Sequence, residues 1–142
     1  MNDWDRIVRQ NAPGVYATAW RILGDAAETD GVVQEVFRRA HEIARADRWE
    51  VLLRRLATTV ALDRLRWRSP DDYPVGAAGR LRSALARLPR QEAAVFALRY
   101  FDDLSPQEIA ETLQLSPPTV AGYLDRARVR LEAMLAQVPG AA

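Results

Sequence analysis

Apolar residues along the chain recur every three to four positions, and no strand-like alternation competes with that period. In the first segment Ile7, Val8, Val15, Ala19, Trp20 and Leu23 form one side of a helix predicted over residues 5–23. Pro13-Gly14 interrupts it. Proline has no N–H for the carbonyl four residues back, so a break or two short helices is expected there. Gly24-Asp25 ends the segment. A second helix is predicted over residues 29–46, with Val32, Val33, Val36, Phe37, Ala40 and Ile43-Ala44 as its apolar stripe. A third, over residues 47–67, is expected to bury Leu52, Leu53, Leu56, Val60 and Leu65.

The pattern then stops. Residues 69–79 hold two prolines, two glycines and no helical stripe, which reads as a linker. Fully extended it would reach about 35 Å. Helical periodicity resumes over residues 80–88, 89–100, 105–113 and 116–137. The predicted fold is therefore all-α, with two small helical domains, residues 1–68 and 80–142, joined by that linker.

The sharpest local signal lies in residues 105–120. Ser105 is placed to N-cap a helix, with Pro106 at its first position and Glu108 completing a capping box. Ser116, again followed by proline, starts the next helix after a turn at Gln114-Leu115. Ile109, Leu113 and Leu115 would face Val120 and Leu124, with the small Ala110 at the closest approach. Two helices crossing this way form a helix-turn-helix, whose second helix enters the DNA major groove. Thr119, Ala121, Gly122, Tyr123 and Arg126 would face the groove. A tri-helical corner that touches no DNA would carry the same pattern.

Charge adds local information only. The 142 residues have a formal net charge of +1, so no overall bias announces a nucleic-acid partner. Residues 48–68, however, carry six arginines against two acids, a local net of +4. Arg126, Arg128 and Arg130 form a second basic cluster. Every basic residue except His41 is arginine. Arginine suits phosphate and guanine, although codon bias in a GC-rich genome accounts for the same fact. No cysteine is present, which removes disulfides, zinc knuckles and thiol catalysis. Residues 1–10 lack the apolar stretch of a signal peptide, and no run approaches the roughly 20 apolar residues of a membrane span. A cytoplasmic location without membrane insertion is expected.

Enzyme chemistry finds no foothold. His41 stands alone beside Glu42 and reads as a bystander. Asp71-Asp72 and Asp102-Asp103 sit where turns favour aspartate. Gly76 and Gly79 lack the lysine of a phosphate-binding loop, and metal ligation lacks cysteine and paired histidines. No cofactor or metal is expected.

The residues resemble a known family. Leu88-Pro89, Arg90, Val95, Leu98-Arg99-Tyr100 and Leu104-Ser105 lead into Glu108-Ile109-Ala110, Thr119-Val120 and residues 126–131. This string is similar to region 4 of the extracytoplasmic-function (ECF) sigma factors of RNA polymerase, in the sigma-70 family. Residues 19–25, 33–40 and 61–66 resemble region 2 of the same family. The resemblance implies that region 2 docks on the polymerase clamp and melts the promoter. Region 4 would read the upstream element and dock on the polymerase flap.

Carried over by position, Asp30, Gln34 and Glu35 would contact core RNA polymerase. Arg54, Arg55, Arg64 and Arg66 would hold the melted strand's phosphates, and Arg126, Arg128 and Arg130 would join the groove residues on promoter DNA. Trp49 and Trp67, among arginines, are expected in the core rather than stacked on bases. Anti-sigma partners are common in the family, and the resemblance admits one without requiring it.

The chain departs from the family pattern at several points. Gly31 replaces an acidic residue. The segment between Phe37 and Leu52 is short. The helix at residues 52–59 lacks the usual tryptophan and asparagine. The recognition helix places Ala121, Gly122 and Asp125 where basic residues are expected, and Asp125 would repel phosphate unless paired with Arg128 or Arg130. A sigma-like helix-turn-helix regulator, or an interaction module without full promoter melting, is the alternative function.

Overall fold

The structure, a computed structural model, describes residues 3–43 and 45–136. Ala44, placed above in an apolar stripe, lies outside the described residues. So do residues 1–2 and 137–142, placed in the two terminal domains. Seven α-helices and one 3₁₀ turn are found among the described residues: α1 (Asp3–Leu23), α2 (Ala26–His41), α3 (Trp49–Arg66), the turn Pro70–Asp72, α4 (Ala77–Ala86), α5 (Arg90–Tyr100), α6 (Pro106–Leu113) and α7 (Pro117–Ala136).

The expected break in α1 does not occur, and the helix runs unbroken through Pro13. Pro13, Gly14 and Arg9 are all exposed. The Arg9 carbonyl that loses its donor can be served by water, and the packed face is untouched. α1 ends at Gly24, whose φ of 63° suits a residue without a Cβ. Two arginines from far along the chain cap the same end. Arg82 Nε donates to the Ile22 carbonyl at 2.9 Å, and Arg68 Nη2 to the Leu23 carbonyl at 2.6 Å. Burial, and then the neighbouring Arg68, lowers the pKa of the Arg82 guanidinium.

Asp25 opens α2 earlier than expected, because its carboxylate accepts the Glu28 N–H at 2.8 Å. α2 also ends earlier, at His41, so Ile43 leaves the stripe and is 37% exposed. Val32, Val36 and Ala40 are fully buried as expected. Trp20 is not in the core. It stands on the outer face of α1, stacked on Tyr16 at 6.5 Å. Trp4 instead joins α1 to its neighbours, edge-on to Phe37, His41 and Trp49.

Helices α1, α2 and α3 pack on one another, and α3 also meets α4, α5 and α6. One apolar core runs from Val15, Val32, Ala57 and Leu65 into Leu85, Leu88, Ala94 and Leu131. A smaller one, from Val95 and Leu98 through Ile109 to Val120 and Leu124, holds α5, α6 and α7 together. Polar contacts seal the junction. Asp102, after α5, accepts Thr18 Oγ1 at 2.8 Å and Arg21 Nη1 at 2.9 Å. Arg55 donates to Gln114 Oε1 at 2.5 Å, Arg90 pairs with Asp63, and Arg48 pairs with Glu111.

Residues 69–79 are folded rather than extended. Ser69 donates from its N–H and hydroxyl to Asp72, and Tyr73 Oη donates to the Leu65 carbonyl at 2.8 Å. The Pro74 carbonyl then approaches Gly79 so closely that a Cβ there would lie 1.7 Å from its oxygen. Gly79→Ala should therefore cost about 1–3 kcal/mol, as overpacking against backbone does. An unchanged urea midpoint would show that this segment does not pack on α4.

The capping box at α6 is formed as the sequence predicts. Glu108 N–H donates to Ser105 Oγ at 3.1 Å, and Ser105 N–H to Glu108 Oε1 at 2.9 Å. Hydrogen bonds from the Ser105 backbone and hydroxyl hold the Glu108 carboxyl below its ordinary pKa. A depressed carboxyl stabilises the fold above the usual glutamate range and loses that contribution as pH falls through its own lower value. Ser105→Ala should cost about 1 kcal/mol at neutral pH. It should also return the Glu108 titration, followed by carboxyl NMR, toward the ordinary value.

Candidate nucleic-acid interface

The turn between α6 and α7 is built by Gln114, which takes the left-handed conformation at φ 58°. Leu115 N–H reaches back to the Ala110 carbonyl at 2.9 Å, closing the end of α6. α7 begins with Ser116 Oγ accepting the Thr119 N–H at 3.3 Å and lying 2.7 Å from the Thr119 hydroxyl. Ile109, Ala110, Val120 and Leu124 are buried where the helices cross, with Leu113, Leu115 and Tyr123 packed against them. A helix so anchored turns its other side to solvent. Ala121, Asp125, Arg126, Arg128 and Arg130 are exposed there, while Thr119, Gly122 and Tyr123 are half-buried beside them.

The charges on this face are arranged in pairs. Asp125 accepts Arg128 Nη2 at 2.9 Å, so the acid that would repel phosphate is neutralised in place. Arg128 Nη1 also donates to the Tyr100 hydroxyl at 3.3 Å. The hydrogen bond to Asp125, and then the Tyr100 contacts, raise the Arg128 pKa above its ordinary value. Arg126 lies over the Tyr123 ring, 5.1 Å from its centre. Arg126 and Arg130 both approach Glu92, a carboxylate of α5 only 4% exposed.

The arginines of α3 sit differently. Arg54, Arg55, Arg64 and Arg66 are all half-buried. Arg66 donates to the Leu88 carbonyl and Arg55 to Gln114. Arg64 lies against Gly31, with Nη1 3.1 Å from where a Cβ would stand. The space left by the missing acid is thus filled by a cation from α3. Arg54 lines a hollow between α1, α3 and the α5–α6 turn, together with Asn11, Arg21 and Asp102. On α2, Asp30 and Gln34 are exposed one turn apart, and Glu35 pairs with Arg38 at 3.1 Å and Arg39 at 3.8 Å. Trp49 packs against the core, but Trp67 does not. It is 88% exposed, because α3 ends just before it and the chain turns away.

The sequence reading did not pick out Glu92, Thr18 or Asp102. A signal for Glu92 existed: an acid amid Ala93, Ala94 and Val95, with Arg126 and Arg130 four apart in a helix able to answer it. Thr18 and Asp102 are 84 residues apart, and nothing local links them. Among the described residues no group of three or more histidine, cysteine or acidic side chains converges as a metal site. No helix of the described residues is long and apolar enough to cross a membrane.

Known proteins share this architecture. The family "Sigma-70, region 4" matches residues 78–131. ECF RNA polymerase sigma factor SigE of Mycolicibacterium smegmatis is 30% identical, over 96% of this chain and 63% of its own length. The chain therefore spans less than two thirds of that relative. ECF RNA polymerase sigma factor SigW of Bacillus subtilis is 27% identical, over 85% of this chain and 82% of SigW. Among solved structures, CnrH in complex with the cytosolic domain of CnrY matches with a TM-score of 0.68 and 26% identity, over 95% of this chain and 89% of CnrH. The sigma factor RpoE of Bartonella quintana, solved with the anti-sigma factor NepR, shares the fold at a TM-score of 0.61 and 15% identity, over 96% and 99% of the two chains. The chain is thus similar to the ECF RNA polymerase sigma factors of the sigma-70 family, and its residues 78–131 match that family's region 4.

Proposed function

We propose that this chain acts without catalysis of its own, in the cytoplasm, as a sigma factor that brings core RNA polymerase to promoter DNA. Residues 1–68 take the region 2 role, residues 80–142 take the region 4 role, and 69–79 connect them. The observation that carries the reading is the capped helix-turn-helix inside the region 4 match, in a chain similar to SigE over 96% of its length. Its α7 face, with Thr119, Ala121, Gly122, Tyr123, Arg126, Arg128 and Arg130, meets the upstream promoter element. Asp30, Gln34 and Glu35 meet the polymerase. An anti-sigma protein is a further proposed partner, in line with the complex of the sigma factor RpoE with the anti-sigma factor NepR.

A second reading has an observation of its own. Arg55 and Arg66 are bonded across the junction, and Arg64 is packed on Gly31. Arginines so engaged do not hold a melted strand, which favours a sigma-like regulator that binds DNA without full melting. The two readings differ in run-off transcription with core polymerase on promoters from the same genome. A sigma factor produces discrete transcripts; a regulator produces none.

The full chain is expected to recover core RNA polymerase in a low-salt pull-down. Gln34→Ala with Glu35→Ala should weaken that association by about tenfold, as loss of polar interface contacts does. No recovery by the unmodified chain would sink the sigma reading. Unchanged affinity of the double variant would remove those two residues from the interface.

A further inference from the structure

Glu92 is a charge buried in α5 that the proposed function does not use. A buried carboxylate is costly unless cations answer it. Two do, and both come from α7. Glu92 Oε1 lies 3.0 Å from Arg130 Nε, and Oε2 lies 3.9 Å from Arg126 Nε. The contacts are ionic, since no N–H is aimed at Oε1. The acid side chain is 5% exposed, whereas Arg126 and Arg130 are 55% and 52% exposed. The carboxylate thus forms the floor, and the two guanidiniums extend from it to the surface.

Each arginine approaches the acid through Nε. Neither guanidinium makes a hydrogen bond among the described residues, so the Nη atoms remain available. Arginine binds phosphate bidentately through such a free edge. Arg126 is held further by the Tyr123 ring beneath it, and its guanidinium lies beside Gly122. A Cβ at 122 would stand in ordinary contact with its Nη1 at 3.6 Å. Four residues apart on one helix, the two arginines stand about 6 Å apart along the axis. That is a spacing suited to neighbouring phosphates of one strand.

Resting on the reading of α7 as the DNA-facing helix, we propose that Glu92 is a positioning residue. It fixes Arg126 and Arg130 as a two-pronged receptor for the phosphodiester backbone. The proposal has a sign that bulk electrostatics reverses. Removing a negative charge beside two DNA-facing cations should strengthen DNA binding if charge alone matters. It should weaken binding if the acid orients them, because free arginines must be ordered anew on contact.

The test titrates the full chain against a fluorescein-labelled DNA duplex of mixed sequence, by anisotropy, over a series of salt concentrations. Arg126→Ala and Arg130→Ala are each expected to lower the salt slope by about 1. Glu92→Gln should weaken binding by about fivefold to tenfold and lower the slope by up to about 2. In the Arg126→Ala, Arg130→Ala background it should do nothing further. Tighter or unchanged binding by Glu92→Gln overturns the proposal, because a purely structural acid would alter melting without moving the slope. If circular dichroism shows that Glu92→Gln does not fold, Glu92→Asp replaces it. That variant keeps the charge but withdraws it from Arg126, and the slope should fall by about 1; an unmoved slope overturns the proposal. If both arginine variants bind DNA as the unmodified chain does, the DNA-facing reading of α7 falls and takes this proposal with it.

Discussion

Helix α3 packs against α1 and α2 and also against α4, α5 and α6. A helix with five helical neighbours cannot confine its apolar residues to one narrow stripe. Leu53, Ala57, Thr58, Val60, Ala61, Leu62 and Leu65 are all buried, so small residues share the helix with large ones. Its arginines are left at the margins of two interfaces. There Arg55 and Arg66, with Arg48 just before the helix, reach partners in the later helices and turns. Half-exposed pairs of this kind contribute little individually. The cohesion comes from the shared core, in which Leu85, Leu88 and Ala94 continue the layer begun by Val32 and Leu65. The polar pairs then fix the angle at which the two sets of helices meet.

This double burial explains what could be read from the chain. α6, its turn and the start of α7 were legible to the residue, because Ser105, Pro106, Glu108 and Ser116 act within four positions of themselves. In α2 the part of the stripe at Val32, Val36 and Ala40 was legible from its three-to-four-residue period. Pro13 misled because proline's cost depends on which side of the helix it occupies, and the local pattern did not report that side. Trp67 misled because burial depends on what stands opposite, and α3 ends before any partner reaches it. Residues 69–79 read as a linker, and Tyr73 and Pro74 tie that segment back to α3 and α4. These misses turn on which side of an element faces the rest of the fold, which the local pattern does not report.

The same limit applies to the α7 face. Taken one by one, Gly122 and Asp125 look like losses of DNA contact. In the fold, Asp125 is paired with Arg128, and Arg126 lies on Tyr123 beside Gly122. Beneath them Glu92 supplies a counter-charge from another helix. In the proposed DNA-facing role such a face would read sequence weakly, since it offers no free arginine at its start for guanine. It is better suited to gripping the backbone, where contacts set register and orientation rather than base identity. On this view discrimination among promoters falls to Thr119, the α7 amino end and the shape of the DNA, while the ordered arginines supply the hold. A helix-turn-helix with few specific contacts would then gain from a partner that brings it to DNA. A polymerase docked on the Asp30–Gln34 face of the same chain would meet that need.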